Sequence, residues 1–298
     1  MRRNIEFSAD GVKLRGWFYK PDKGKGPYPT IVMAHGFSGV KEMSLDKFAE
    51  VFAKAGMAVL VYDNRCLGAS DGRPRGEIDP TWQRRDYRTA ITYAQTLREV
   101  DQNRIGIWGT SYTGGTVCMV AALDRRVKAV VSQVPFMVGH KNLQQFLPID
   151  GWVPFQQMLD EDRLRRMNGE KSKVMKMRSL DPTEPHVFPG EKTYNYIQYY
   201  LDRDPDCTWK NQVTIRSLEY MLEYDVTSFM VRISPTPLLM ILSDCDTTTP
   251  SDIALECYAL VPGPKKLVMI NSDHYAAYIE KFDRTSAAAR DFFLETLV

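Results

Sequence analysis

The sequence predicts an α/β fold, with a mostly parallel central sheet carrying helices on both faces. Two observations carry this. Short β-branched apolar runs alternate with amphipathic helical patterns at both ends of the chain. The 298 residues, 44% hydrophobic and 26% charged, have an ordinary globular composition with material for a sizeable core.

The elements follow in order. "KLRGWFYKP" (13–21) alternates and then meets proline, as an antiparallel edge strand would. "TIVMA" (30–34) reads as a buried strand ending at His35-Gly36. "LDKFAEVFAKAG" has helical spacing and stops at Gly56, a suitable C-terminal cap. "MAVLVYD" is the next strand and "DYRTAITYAQTL" the next amphipathic helix. Strand "RIGIW", a helix starting near Ser111 and strand "KAVVSQV" complete the first half.

From about Phe136 to Ser234 the rhythm breaks. This stretch is charged, aromatic and punctuated by proline ("DPTEPHVFPGEKTYNYIQYYLDRDPD"). Trp152, Phe155, Tyr194, Tyr196 and Trp209 are too many large rings for a solvated linker. The expectation is a mainly helical cap insertion over 136–234, with residues 1–135 and 235–298 forming the core. The sheet rhythm resumes with "PLLMIL", a helix over "SDIALECYAL", strand "KKLVMI" and a long terminal helix from Tyr275.

Charge and cysteines exclude several classes. Net charge is +2 with both signs interspersed, which gives no footprint for nucleic acid or a membrane surface. The N-terminus turns polar before any run long enough for a signal peptide, and no apolar stretch could span a bilayer. Five scattered cysteines without metal spacing read as reduced thiols of a cytoplasmic protein.

Two serines compete for a catalytic role. "GASDG" (68–72) fits G-x-S-x-G, but "DGRPRGEIDP" follows it, so no helix starts there and Ser70 reads as part of a turn. "GTSYTGG" (109–115) has Thr113 where the second glycine is expected, with Gly114 and Gly115 one place later. It nevertheless joins a strand to a helix. That turn lifts a serine hydroxyl above the sheet's carboxyl edge and points a helix N-terminus at developing negative charge. Ser111 is the candidate nucleophile.

A serine nucleophile needs a base, and there are only four histidines. In hydrolases built on such a sheet, nucleophile, acid and base follow one another along the chain. His274, after the last strand, is the candidate base. His35 precedes the serine and reads as structural, while His140 and His186 fall in or near the insertion. The acid should follow "PLLMIL", where "SDCDTTTP" offers two aspartates. Asp246 has the favoured offset and Asp244 competes with it. The oxyanion donors expected are the backbone N–H groups of Tyr112 and of Phe37 in "HGFSG".

With this set in order, the chain resembles the α/β-hydrolase superfamily from roughly Ile5 to Val298. "GTSYTG" is similar to the G-x-S-Y-x-G elbow of X-prolyl dipeptidyl peptidases and cocaine-esterase-like enzymes. Those carry a further C-terminal β domain with no counterpart in this sequence, which disfavours a peptidase. "YDNR…GASDG…EIDP…RIGIWGTSY" resembles single-domain microbial and fungal hydrolases that include polyketide thiohydrolases and acyltransferases.

The resemblance implies a serine hydrolase acting on a small-molecule ester or a carrier-bound acyl thioester, through a Ser111 acyl-enzyme. No metal or organic cofactor is implied. An alternative passes the acyl group to an alcohol. Another is a non-catalytic ligand-binding protein on the same fold. The insertion's rings suggest a hydrophobic acyl group, though ordinary packing would produce the same rings.

Overall fold

The computed structural model describes residues 1–181 and 183–298. Eight strands form one sheet: β1 (Arg2–Ala9), β2 (Val12–Tyr19), β3 (Tyr28–Ala34), β4 (Ala58–Tyr62), β5 (Val100–Thr110), β6 (Val127–Gln133), β9 (Leu238–Ser243) and β10 (Lys265–Ile270). Their spatial order is β1-β2-β4-β3-β5-β6-β9-β10. β1, β2 and β4 pair antiparallel, and every pairing from β4 through β3 to β10 is parallel. β3, β4 and β9 are buried at every residue, as expected of strands covered on both faces.

α1 (Leu45–Lys54) and the terminal α10 (Phe282–Leu297) cover one face, while α2 (Pro80–Thr96), α3 (Tyr112–Leu123) and α9 (Ser251–Ala259) lie on the other. On the first face Phe48 packs 4.9 Å from both Trp108 and Phe282, and Phe52 meets Phe293 edge-on at 5.6 Å. Gly56, at φ 94°, follows α1 in the left-handed conformation that ends the helix.

Three expectations need correction. "KLRGWFYKP" forms β2 but is not the edge, because β1 covers it. β1 escapes notice because its outward positions carry Arg2, Asn4, Glu6 and Ser8, so only alternate side chains from Ile5 onward are buried. The stretch after Ser70 does lead into a helix, but only at Pro80, once Asp79 caps the Thr81 and Trp82 N–H groups. The segment at Tyr275 is a short 3₁₀ turn (Tyr275–Tyr278), and α10 begins at Phe282.

Between β6 and β9 the chain forms α4 (Gly139–Phe146), α5 (Trp152–Met167), β7 (Val174–Met175), α6 (Glu191–Arg203), β8 (Val213–Thr214), α7 (Ile215–Glu223) and α8 (Thr227–Met230). β7 and β8 pair antiparallel, apart from the main sheet. α8 packs against α3 and α9, while α4 and α5 each pack on α7. Among the described residues no helix is long and apolar enough to cross a membrane.

Candidate active site

The parallel strands set the site, because their carboxyl ends open on one edge of the sheet. β5 ends at Thr110, and Ser111 follows with φ 53° and ψ -124°, a strained turn from which α3 starts. Ser111 N–H donates to the Gln133 carbonyl at 2.9 Å, and the Ser111 carbonyl accepts from Phe136 N–H at 2.9 Å. The turn is thereby pinned to the chain leaving β6.

The missing second glycine has a structural answer. Thr113 donates its hydroxyl to the His35 carbonyl at 2.5 Å, tying α3 to the loop after β3. The close approach is needed at Gly115 instead. A methyl group there would lie 2.2 Å from the Phe136 carbonyl oxygen and 2.6 Å from the Tyr224 hydroxyl.

The loop after β3 lies against the turn because β3 and β5 are neighbours. A methyl group on Gly36 would come within 2.8 Å of Ser111 Cβ. Phe37 lines the same cavity as Ser111. As the first residue of α3, Tyr112 has no intrahelical acceptor for its N–H. The Phe37 N–H likewise makes no backbone hydrogen bond among the described residues.

The carboxyl ends of β9 and β10 supply the other two groups. Asp246 is buried and accepts from the Thr248 and Thr249 N–H groups at 2.8 and 2.6 Å, so the turn after β9 fixes its carboxylate. Its Oδ2 lies 2.8 Å from Nδ1 of the buried His274. A carboxylate on Nδ1 holds the proton there, leaving the Nε2 lone pair for a second partner. His274 and Ser111 line one cavity of about 50 Å³, whose rim includes Thr248, Tyr275 and Tyr278.

Asp244 points elsewhere. It accepts from the Ser272 N–H and the Asn271 side chain, both at 3.0 Å, and is exposed. Ser70 is buried away from the cavity, accepting from Arg15 N–H at 2.9 Å and donating to the Asp63 carbonyl at 2.6 Å. Its side chain ties the loop to β2, while its N–H closes the turn by donating to the Leu67 carbonyl at 3.1 Å. His140 is exposed and 3.1 Å from the Gln144 side chain. His35 is buried with Nδ1 accepting from Gly36 N–H at 2.8 Å, and burial pushes its pKa down to about 4.

Two features of the site were not read from the sequence. Thr249 Oγ is 3.0 Å from both His274 Nδ1 and Asp246 Oδ2, and 2.9 Å from the Val134 carbonyl. Its position in "TTTP" gives no sign of which threonine reaches the pair. The second feature is a tyrosine cluster: Tyr196 of α6 packs 4.8 Å from Tyr275 and 5.3 Å from Tyr278, over the His274 side of the cavity. The i, i+1, i+4 spacing of Tyr196, Ile197 and Tyr200 was its only trace. Among the described residues no group of three or more His, Cys, Asp or Glu side chains could hold a metal ion.

Residues 10–276 match the X-Pro dipeptidyl-peptidase (S15) family. The chain belongs to that family. A thiohydrolase of Aspergillus aculeatus, aneE, is 31% identical over 272 residues, covering 88% of this chain and 83% of its own. The quorum-quenching protein AidA of Acinetobacter baumannii is also 31% identical, covering 97% of this chain and 93% of its own. The crystal structure of the α/β hydrolase GrgF from a Penicillium species superposes with a TM-score of 0.84 at 25% identity, covering 100% of this chain and 99% of that one. The fold is that of the α/β hydrolases, and this S15-family protein is an enzyme of that fold.

Proposed function

We propose that this enzyme transfers acyl groups through a covalent Ser111 ester. In this mechanism Ser111 Oγ attacks the carbonyl of an ester or acyl thioester while His274 Nε2 takes its proton. Asp246 holds the imidazole and stabilises its cation. The Phe37 and Tyr112 N–H groups receive the oxyanion. Collapse of the tetrahedral intermediate expels the alcohol or thiol, which leaves with the proton from His274. Water, deprotonated by His274 in turn, attacks the acyl-enzyme and frees Ser111.

One observation carries the reading: a buried carboxylate–imidazole pair at 2.8 Å borders the cavity into which the strained Ser111 turn opens. The thiohydrolase relative supports a thioester substrate. A second reading, transfer to an alcohol, is favoured by a polyketide transferase of Penicillium, grgF, which is 27% identical over 93% of this chain. The 136–234 segment acts as the cap in either case.

The test is intact-mass measurement after mixing with an activated aryl ester, alongside steady-state turnover. Ser111→Ala should lose the acyl adduct and lower kcat by roughly 10³-fold or more. Ser70→Ala should keep both, losing only the order of 1 kcal/mol in stability from its two hydrogen bonds. Equal losses from the two variants would overturn the assignment. Product analysis with a candidate alcohol present separates hydrolysis from transfer.

A further inference from the structure

Three spaces meet at Phe188. The cavity at Ser111 holds about 50 Å³. A vestibule of about 510 Å³ opens beyond His274, and a groove of about 450 Å³ lies among α4, α5 and α7. Phe188 lines all three. Its N–H donates to the Met177 carbonyl at 3.0 Å, and prolines 185 and 189 flank it. The ring stands edge-on between Phe37 at 5.9 Å, on the cavity side, and Phe146 at 6.0 Å, on the groove side.

The two larger spaces differ in chemistry. The vestibule is edged by Gln145, Glu191, Lys192, Thr247 and Asp273. The groove is walled mainly by apolar side chains, among them Leu143, Leu147, Phe155, Met158 and Leu218, with Glu184 and His186 as its charged or titratable members. The cavity at Ser111 is only a few times the space one water needs, which suits a reacting carbonyl and little more. The groove, by contrast, falls within the roughly 300–1,000 Å³ of small-molecule sites. A substrate must therefore extend out of the cavity in two directions, one for each side of its carbonyl.

The proton path decides which side goes where. In the acyl-enzyme mechanism the base hands its proton to the leaving group and later takes one from the acceptor. Both must approach on the imidazole's side. His274 lines the cavity and the vestibule but is not among the groove's residues. We infer that the groove beyond Phe188 is the acyl-chain subsite, taking an extended apolar acyl group, and that the vestibule receives the leaving group and acceptor. Phe188 is the specificity-determining partition between the cavity at Ser111 and this groove. The assignment rests on the Ser111 acyl-enzyme reading.

The experiment measures kcat/KM of the full-length chain on p-nitrophenyl esters of acetic, hexanoic and decanoic acid. It compares wild type with Met158→Trp, Leu147→Trp and Phe188→Ala. Met158 and Leu147 are half-buried on the groove wall, so a larger side chain fills the groove without entering the core. Wild type should favour the decanoyl over the acetyl ester. Both tryptophan variants should lower that ratio by about tenfold or more, the scale of a few lost methylene contacts in a pocket. Phe188→Ala should raise it. A decanoyl-to-acetyl ratio below one in wild type, or a ratio unchanged in both tryptophan variants, overturns the subsite. Absence of turnover on every ester and of any acyl adduct on Ser111 overturns the acyl-enzyme reading instead, and the subsite falls with it.

Discussion

Asp244 and Asp246 lie two residues apart on one turn, yet their carboxylates have different partners. Asp246 is held by two backbone N–H groups and the His274 ring, whereas Asp244 braces the loop at Asn271 and Ser272 on the surface. The role proposed for Asp246 predicts that Asp246→Asn lowers kcat on an activated aryl ester by about 10⁴-fold, because an amide favours the wrong imidazole tautomer. Asp244→Asn should keep most of the activity, since an amide oxygen still accepts from the Ser272 N–H. Comparable losses from the two would move the acid to Asp244. His35 is the other residue whose surroundings decide its state. Its ring is buried against Tyr278 and near His274, and it stays neutral down to about pH 4.

At the scale of elements, the start of α3 is a tightly packed junction. Gly115→Ala pushes a methyl group into the Phe136 carbonyl and the Tyr224 ring. It should destabilise the protein by about 2 kcal/mol or more, read as a lowered denaturation midpoint. Much of this architecture was legible in the sequence, since "TIVMA", "MAVLVYD", "RIGIW" and "PLLMIL" each mark a strand by an unbroken apolar run. β1 was not, because half its side chains face water and its partner alone defines it. The candidate site was legible where chain order constrains it: Ser111, Asp246 and His274 each follow a strand that sequence pattern identifies. Thr249 and the Tyr196 cluster were not. The Thr249 contacts depend on how the turn after β9 meets the loop carrying His274, and those of Tyr196 on the path of the chain between β6 and β9, neither of which local periodicity encodes.

For the whole molecule, the buried His35 couples folding to pH. Its ring binds a proton less readily in the folded chain, at about 4, than at its ordinary value of 6.5. The unfolded state therefore holds more protons between these values, and stability falls as pH drops through that window. The expected slope is up to about 1.4 kcal/mol per pH unit from this group. Denaturation midpoints of wild type and His35→Gln from pH 7 to pH 4 check it, with the shallower dependence expected in the variant. A separate consequence follows from the sheet order. The chain leaves the sheet at the end of β6 and rejoins it at β9, and these two strands are hydrogen-bonded neighbours. The two strands run parallel, so the intervening stretch is a crossover from the carboxyl end of β6 to the amino end of β9, and its loop-closure cost rises only slowly with its length. Chimeras that exchange it for the corresponding stretch of a relative while keeping Phe136 and Tyr224, which brace the Ser111 turn, would let new selectivity be grafted above that turn.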